Sequence, residues 1–120
     1  MSTVLVVDDD HDIRTCLGEV LHDQGFVAVT AADGRDALEK LATRFRPDAI
    51  VLDLMMPVMN GFEFLQAMRA NAELNRIPVV VISANRGYDE RDLGVAAVLR
   101  KPFDLNALVD AIDGALPPRA

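Results

Sequence analysis

Apolar positions in this chain come in two rhythms that alternate from end to end. Short unbroken runs at residues 4–7, 49–52 and 77–82 give way to stretches where apolar residues recur every three or four positions. An unbroken run suits a strand buried on both faces, and the longer spacing suits a helix with one buried stripe. Residues 4–7 therefore predict a strand, ended by Asp8-Asp9-Asp10. Ile13, Leu17, Val20 and Leu21 mark a first helix, capped by Asp10 or Asp12 and stopped at Gly25. Residues 26–31 predict a second strand. Asp33-Gly34 then punctuates, and Ala37, Leu38, Leu41, Ala42 and Phe45 mark a second helix ended before Pro47. A third strand runs up to Asp53. Asn60-Gly61-Phe62-Glu63 opens a third helix with a capping box, and Phe62, Leu65 and Met68 form its stripe. Residues 77–82 predict a fourth strand, reaching Ser83-Ala84. Residues 85–94 are polar and support a helix of two turns at most. Residues 95–99 predict the last strand, and Arg100-Lys101-Pro102-Phe103 a turn. Asp104 caps a final helix with stripe Leu105, Leu108, Val109, Ile112 and Leu116, closed by Pro117-Pro118.

Strand and helix thus alternate five times. The expected fold is α/β, a doubly wound five-stranded parallel sheet, because right-handed crossovers cover both faces with helices. Open sheets of this kind bind ligands at the carboxyl edge of their strands, at the point where strand order reverses. That rule predicts a site above the first and third strands. Asp8-Asp9-Asp10 and Asp53 end those two strands, and Ser83 and Lys101 end the fourth and fifth.

Composition narrows the functional classes. A chain of 120 residues predicts a single domain, 1–120, able to bury its own core without disulfides or structural metal. A net charge of −7 argues against a basic face for nucleic acid and against a polybasic membrane anchor. The lone Cys16 has no internal disulfide partner and fits a reducing compartment; it is expected as a small core filler. No apolar run reaches the length of a membrane span, and the first residues carry no basic leader, so the expected location is cytoplasmic. His11 reads as a solvated first-turn residue beside the acidic cluster, and His22 as a surface residue.

Carboxylates gathered at one sheet edge repel unless a hard divalent cation joins them, and Mg²⁺ is the usual oxygen-seeking choice. A carboxylate beside Mg²⁺ can act as a nucleophile towards phosphorus. Phosphoryl transfer also needs its equatorial oxygens neutralised by positioned groups. Lys101 and the Ser83 hydroxyl are suited to that task. The constellation therefore predicts a phosphorylatable Asp53, with Asp8 and Asp9 as metal holders.

Val6-Val7-Asp8-Asp9-Asp10, Leu52-Asp53-Leu54-Met55-Met56-Pro57 with Asn60-Gly61, Ser83-Ala84 and Lys101-Pro102-Phe103 together resemble the receiver domain of two-component response regulators. The likeness runs from Val4 to about Leu116. It implies a flavodoxin-like strand order 2-1-3-4-5 with five helices, the fourth short or irregular. It implies that Asp53 accepts a phosphoryl group from the phosphohistidine of a sensor histidine kinase or phosphotransfer protein. It further implies Mg²⁺ held directly by Asp9, Asp53 and the Met55 backbone carbonyl, and by Asp8 largely through water, with a cis bond before Pro102. The implied role is a regulatory switch acting on a downstream effector protein, as a monomer or weak homodimer, and not an enzyme with turnover of its own.

The chain departs from that pattern in two places. Val98 stands where the family usually has an aromatic switch residue, and the interval from Ser83 to Lys101 is about four residues shorter than usual, roughly one helical turn. The expected switch region is therefore Ser83, Val98 and residues 85–94, with Tyr88 replacing the missing ring. Two rival functions are weighed against the switch. One is a receiver-fold docking module that works without phosphorylation. The other is a small phosphatase, since Asp8-Asp9-Asp10 is similar to the nucleophile motif of haloacid-dehalogenase-like phosphatases, although only Asp104 follows Lys101 nearby where that family needs an acidic cluster, and 120 residues leave little room for its cap.

Overall fold

The computed structural model describes residues 2–84 and 90–116. Five strands and five α-helices alternate along these residues: β1 (Thr3–Val7), α1 (His11–Asp23), β2 (Val27–Ala31), α2 (Gly34–Leu41), β3 (Ala49–Asp53), α3 (Gly61–Arg69), β4 (Val79–Ser83), α4 (Glu90–Leu93), β5 (Ala97–Arg100) and α5 (Leu105–Ala115). All strand pairs are parallel, and the order across the sheet is β2-β1-β3-β4-β5. The doubly wound parallel sheet expected from the alternation, with the flavodoxin-like order implied by the resemblance, is the fold observed. Tyr88 lies outside the described residues.

Strand alternation divides the core into two layers. Leu5 and Val7 of β1 and Ile50 and Leu52 of β3 face α2 and α3, where they meet Leu41, Phe64, Leu65 and Met68. Val4 and Val6 of β1 and Val51 of β3 face the other way, onto Leu17 and Leu21 of α1 and Leu108 and Ile112 of α5. Burying each of these side chains contributes on the order of 1.5–3 kcal/mol before ordering entropy is set against it. β1, β3 and β4 are covered on both faces and in the middle of the sheet, which is why they read as unbroken apolar runs. β2 is an edge strand, and its Val27 stays 42% exposed.

Asp10 caps α1, its carboxylate accepting from the backbone N–H groups of Asp12 and Ile13, so of the two caps considered Asp10 is used. Asn60 and Glu63 form the expected capping box at α3. Three boundaries differ from expectation. α2 ends at Leu41 rather than near Phe45, because the Arg46 guanidinium takes the carbonyls of Leu41, Thr43 and Phe45 and ends the helix early. β4 starts at Val79, two residues later than its apolar run, since a short 3₁₀ turn at Leu74–Arg76 and Pro78 precede it. β5 is shifted to Ala97–Arg100. α4 is a single turn, consistent with the short interval before Lys101.

Candidate functional site

Strand register brings the expected acids to one edge. Asp53 is the last residue of β3, and Asp8 follows β1 directly. Asp8 continues the alternation of Val4 and Val6, and Asp53 that of Ala49 and Val51, so both carboxylates emerge on the layer shared with α1 and α5. Asp8 is fully buried, Asp53 is 3% exposed and Ser83 is 1% exposed. Asp9 sits in the bend after Asp8 and is exposed. One carboxylate oxygen from each of Asp8, Asp9 and Asp53 lies within 4.8 Å of the others.

Lys101 enters from β5. Its backbone N–H donates to the Ser83 carbonyl at 2.8 Å, which ties the two strand ends together. Its Nζ stands 3.5 Å from Asp8 Oδ2 and 3.5 Å from Asp53 Oδ2. The Lys101–Pro102 bond is cis. Among the described residues one amine stands against three carboxylates, which leaves the cluster net negative, and buried charge of one sign is costly unless a cation joins it. The donor set is all oxygen, which suits Mg²⁺.

The other Asp53 oxygen, Oδ1, accepts from the Met55 N–H at 3.2 Å. Burial is the main reason the Asp53 carboxyl is pushed up to about 6; the Met55 N–H opposes the shift, Asp8 adds to it, Lys101 opposes it and Asp9 adds to it. Asp36, away from this cluster, is held below the usual carboxylate range by its hydrogen bond from Lys40.

The loop after Asp53 is clamped by close backbone contact. A Cβ on Gly61 would lie 2.7 Å from the Asp53 carbonyl oxygen and 2.7 Å from Leu54 Cα, so only glycine fits there. Gly61 N–H also donates to the Leu54 carbonyl at 3.0 Å, closing the loop. Within it Val58 has φ +67° and Met59 N–H donates back to the Pro57 carbonyl at 2.7 Å, a tight γ-turn. The Met55 side chain is 60% exposed beside the cluster.

Of the remaining sequence candidates, Val98 is half-buried against the α2/α3 layer. Cys16 corrects an expectation. It is exposed, not core, because Leu17 and Leu21 form the buried stripe of α1 and Cys16 lies beside that stripe. It lines an apolar groove of about 300 Å³ with Ile13, Leu17, Pro102, Phe103 and Leu105, next to Lys101. Arg14 was not singled out by the sequence. Its Nη1 donates to the Asp8 carbonyl at 2.8 Å. The available signal was a basic residue one turn into a helix that starts from an acidic loop.

The sequence family described as the response regulator receiver domain matches residues 4–113. The transcriptional regulatory protein PrrA of Mycobacterium tuberculosis is 45% identical over 97% of this chain, which spans 50% of that protein's length. The sporulation initiation phosphotransferase F of Bacillus subtilis is 36% identical over 95% of this chain and 93% of its own. Among solved structures, response regulator protein TrrA of Thermotoga maritima, in complex with Mg²⁺ and BeF, superposes with a TM-score of 0.85 at 27% identity, covering 97% of this chain and 100% of that one. Among the described residues no helix is long and apolar enough to cross a membrane.

Proposed function

This chain belongs to the response regulator receiver domain family, and from that premise we propose that it is a phosphorylation-dependent switch with Asp53 as its phosphoacceptor. The observation that carries this reading is the gathering of the Asp8, Asp9 and Asp53 oxygens within 4.8 Å, with Lys101 3.5 Å from two of those carboxylates. The donor would be a phosphohistidine on a sensor histidine kinase or phosphotransfer protein. An Asp53 carboxylate oxygen attacks phosphorus, the P–N bond breaks as the P–O bond forms, and the leaving imidazole keeps the electron pair and takes up a proton.

Asp9, Asp53 and the Met55 carbonyl would hold Mg²⁺ directly, and Asp8 through water. When bound, the ion neutralises phosphoryl oxygen charge and the repulsion among the carboxylates. The chain's own groups do the rest. Lys101 pairs with a phosphoryl oxygen, and the Ser83 hydroxyl donates to another. Asp8, Asp53 and Ser83 are buried whereas Asp9 and Met55 are exposed, so the donor would approach over Asp9 and Met55. The product is a switch state read by an effector protein in the cytoplasm, with no catalytic turnover beyond gain and loss of the phosphoryl group. TrrA was solved with Mg²⁺ and BeF, which supports the same ligands here.

Val98 favours a second reading, docking without phosphorylation, because a compact half-buried side chain has no ring to turn between solvent and core. One experiment separates the two. The protein is incubated with a small-molecule phosphoryl donor and Mg²⁺, wild type against Asp53→Asn. Label on wild type and none on the variant is expected. Label that persists on Asp53→Asn overturns the assignment, and no label on either protein supports docking alone.

A further inference from the structure

We propose that Arg14 is a positioning residue for the metal site, acting on Asp9 through the peptide unit that joins Asp8 to Asp9. The inference rests on the Mg²⁺ reading above.

Asp9 is the least supported of the three acids. Asp8 Oδ1 accepts from the Asp10 N–H at 2.9 Å, and Asp53 Oδ1 accepts from the Met55 N–H at 3.2 Å. Both of those residues are buried, so packing also fixes them. Asp9 is exposed, and none of the described residues donates a hydrogen bond to its carboxylate. Its place is therefore set by its backbone. The peptide unit leading into it carries the Asp8 carbonyl, and that carbonyl accepts from Arg14 Nη1 at 2.8 Å. On the other side of Asp8, its N–H is pinned to the Ala31 carbonyl at 3.2 Å. The guanidinium thus holds the peptide unit entering Asp9, as the Asp10 N–H bond to Asp8 Oδ1 holds the one leaving it, and a carboxylate oxygen of Asp9 comes within 4.8 Å of one of Asp53.

Arg14 is suited to this by its own setting. It is half-buried on α1, and its Nη2 lies 3.5 Å from His11 Nδ1, which restrains the fork. A planar guanidinium offers fixed donors, whereas a lysine offers a mobile point charge. Partners of this kind, one step removed from a metal, commonly change affinity by about 10-fold or more when removed.

Charge and positioning predict opposite signs here. If Arg14 were merely a cation near the acids, removing it would tighten Mg²⁺ binding, since repulsion of the ion would fall. If it positions Asp9, removing it weakens binding. Mg²⁺ is titrated into wild type, Arg14→Met, Arg14→Lys and the distant control Arg44→Met at constant ionic strength, following backbone amide NMR shifts. Urea unfolding without Mg²⁺ monitors the fold. The expected result is an affinity about 10-fold weaker for Arg14→Met and intermediate for Arg14→Lys, with Arg44→Met unchanged. Unchanged or tighter binding by Arg14→Met overturns the inference. If Arg14→Met does not fold, Arg14→Lys decides: wild-type affinity in that variant, which keeps the charge but not the fork, also overturns it. Failure of wild type itself to respond to Mg²⁺ counts instead against the metal reading.

Discussion

Asp53 is a residue placed against the interest of the fold. Its carboxyl is pushed up to about 6 from 3.8, chiefly by burial. The folded state therefore holds its proton more tightly than the unfolded chain. Stability linked to Asp53 is fullest below about pH 4 and is lost as pH rises through about 6. A shift of that size corresponds to about 3 kcal/mol at neutral pH. Asp53→Asn removes the charge and keeps most of the shape, so at pH 7, in the absence of divalent ions, it is expected to be more stable than wild type by about 1–3 kcal/mol. The gain should fade towards pH 4, and urea unfolding across that range checks it; a gain that does not vary with pH contradicts the argument. Val58 is the other strained residue. A β-branched side chain at φ +67° costs about 1–2 kcal/mol, and Val58 is 73% exposed, so it recovers little by burial. Val58→Asn is expected to raise stability by about 1 kcal/mol, measured the same way. Neither strain was legible in the sequence. The strand-end position of Asp53 was, but its burial and the γ-turn at Val58 come from how the loop is clamped against Gly61. Cys16 failed for a related reason: helical spacing places a residue near the stripe without saying on which side of its edge it falls.

The elements themselves were largely legible, because each is specified by local chemistry that agrees with the packing. β1, β3 and β4 are apolar on both faces and have helices on both faces. α3 is announced by its capping box. The end of α2 moved because a group beyond the helix intervened: Arg46 takes the Leu41 carbonyl and also pairs with Glu73 at 2.7 Å. That pair also holds Glu73 below the usual carboxylate range. α3 permits a sharp test, since its cap fixes the far end of the loop that starts at Asp53. Asn60→Ala removes the acceptor for the Glu63 N–H at 3.0 Å and is expected to cost about 1 kcal/mol. Because Gly61 is seated on the Asp53 carbonyl, the loss should extend to the site. Amide exchange should speed up at residues 54–61 as well as in the first turn of α3; exchange confined to the helix would show that the loop is held by Gly61 alone.

At the scale of the whole molecule, the same acidic cluster that makes the site also makes the fold dependent on what occupies it. The chain carries a net charge of −7, and three of its carboxylates converge at one sheet edge with the Lys101 amine between two of them. Folding creates that cluster, so a cation that binds the cluster must stabilise the fold by mass action. At a Mg²⁺ concentration 100 times its dissociation constant the gain is about 2.7 kcal/mol. For a domain of this size that corresponds to a rise in Tm of roughly 10 °C. Diffuse screening of the net charge would also stabilise, but it would not distinguish Mg²⁺ from an equivalent ionic strength of Na⁺, nor one acid from another. The expected outcome is a Tm that rises with Mg²⁺ in wild type, does not rise with matched NaCl, and rises far less in Asp9→Asn, whose carboxylate contributes to the cluster from an exposed position. Equal shifts in wild type and Asp9→Asn would mean that the ion acts on the net charge and not at the site. Unequal shifts would tie the stability of the whole sheet to the three residues at its carboxyl edge, so that loading the site and ordering the molecule are one equilibrium.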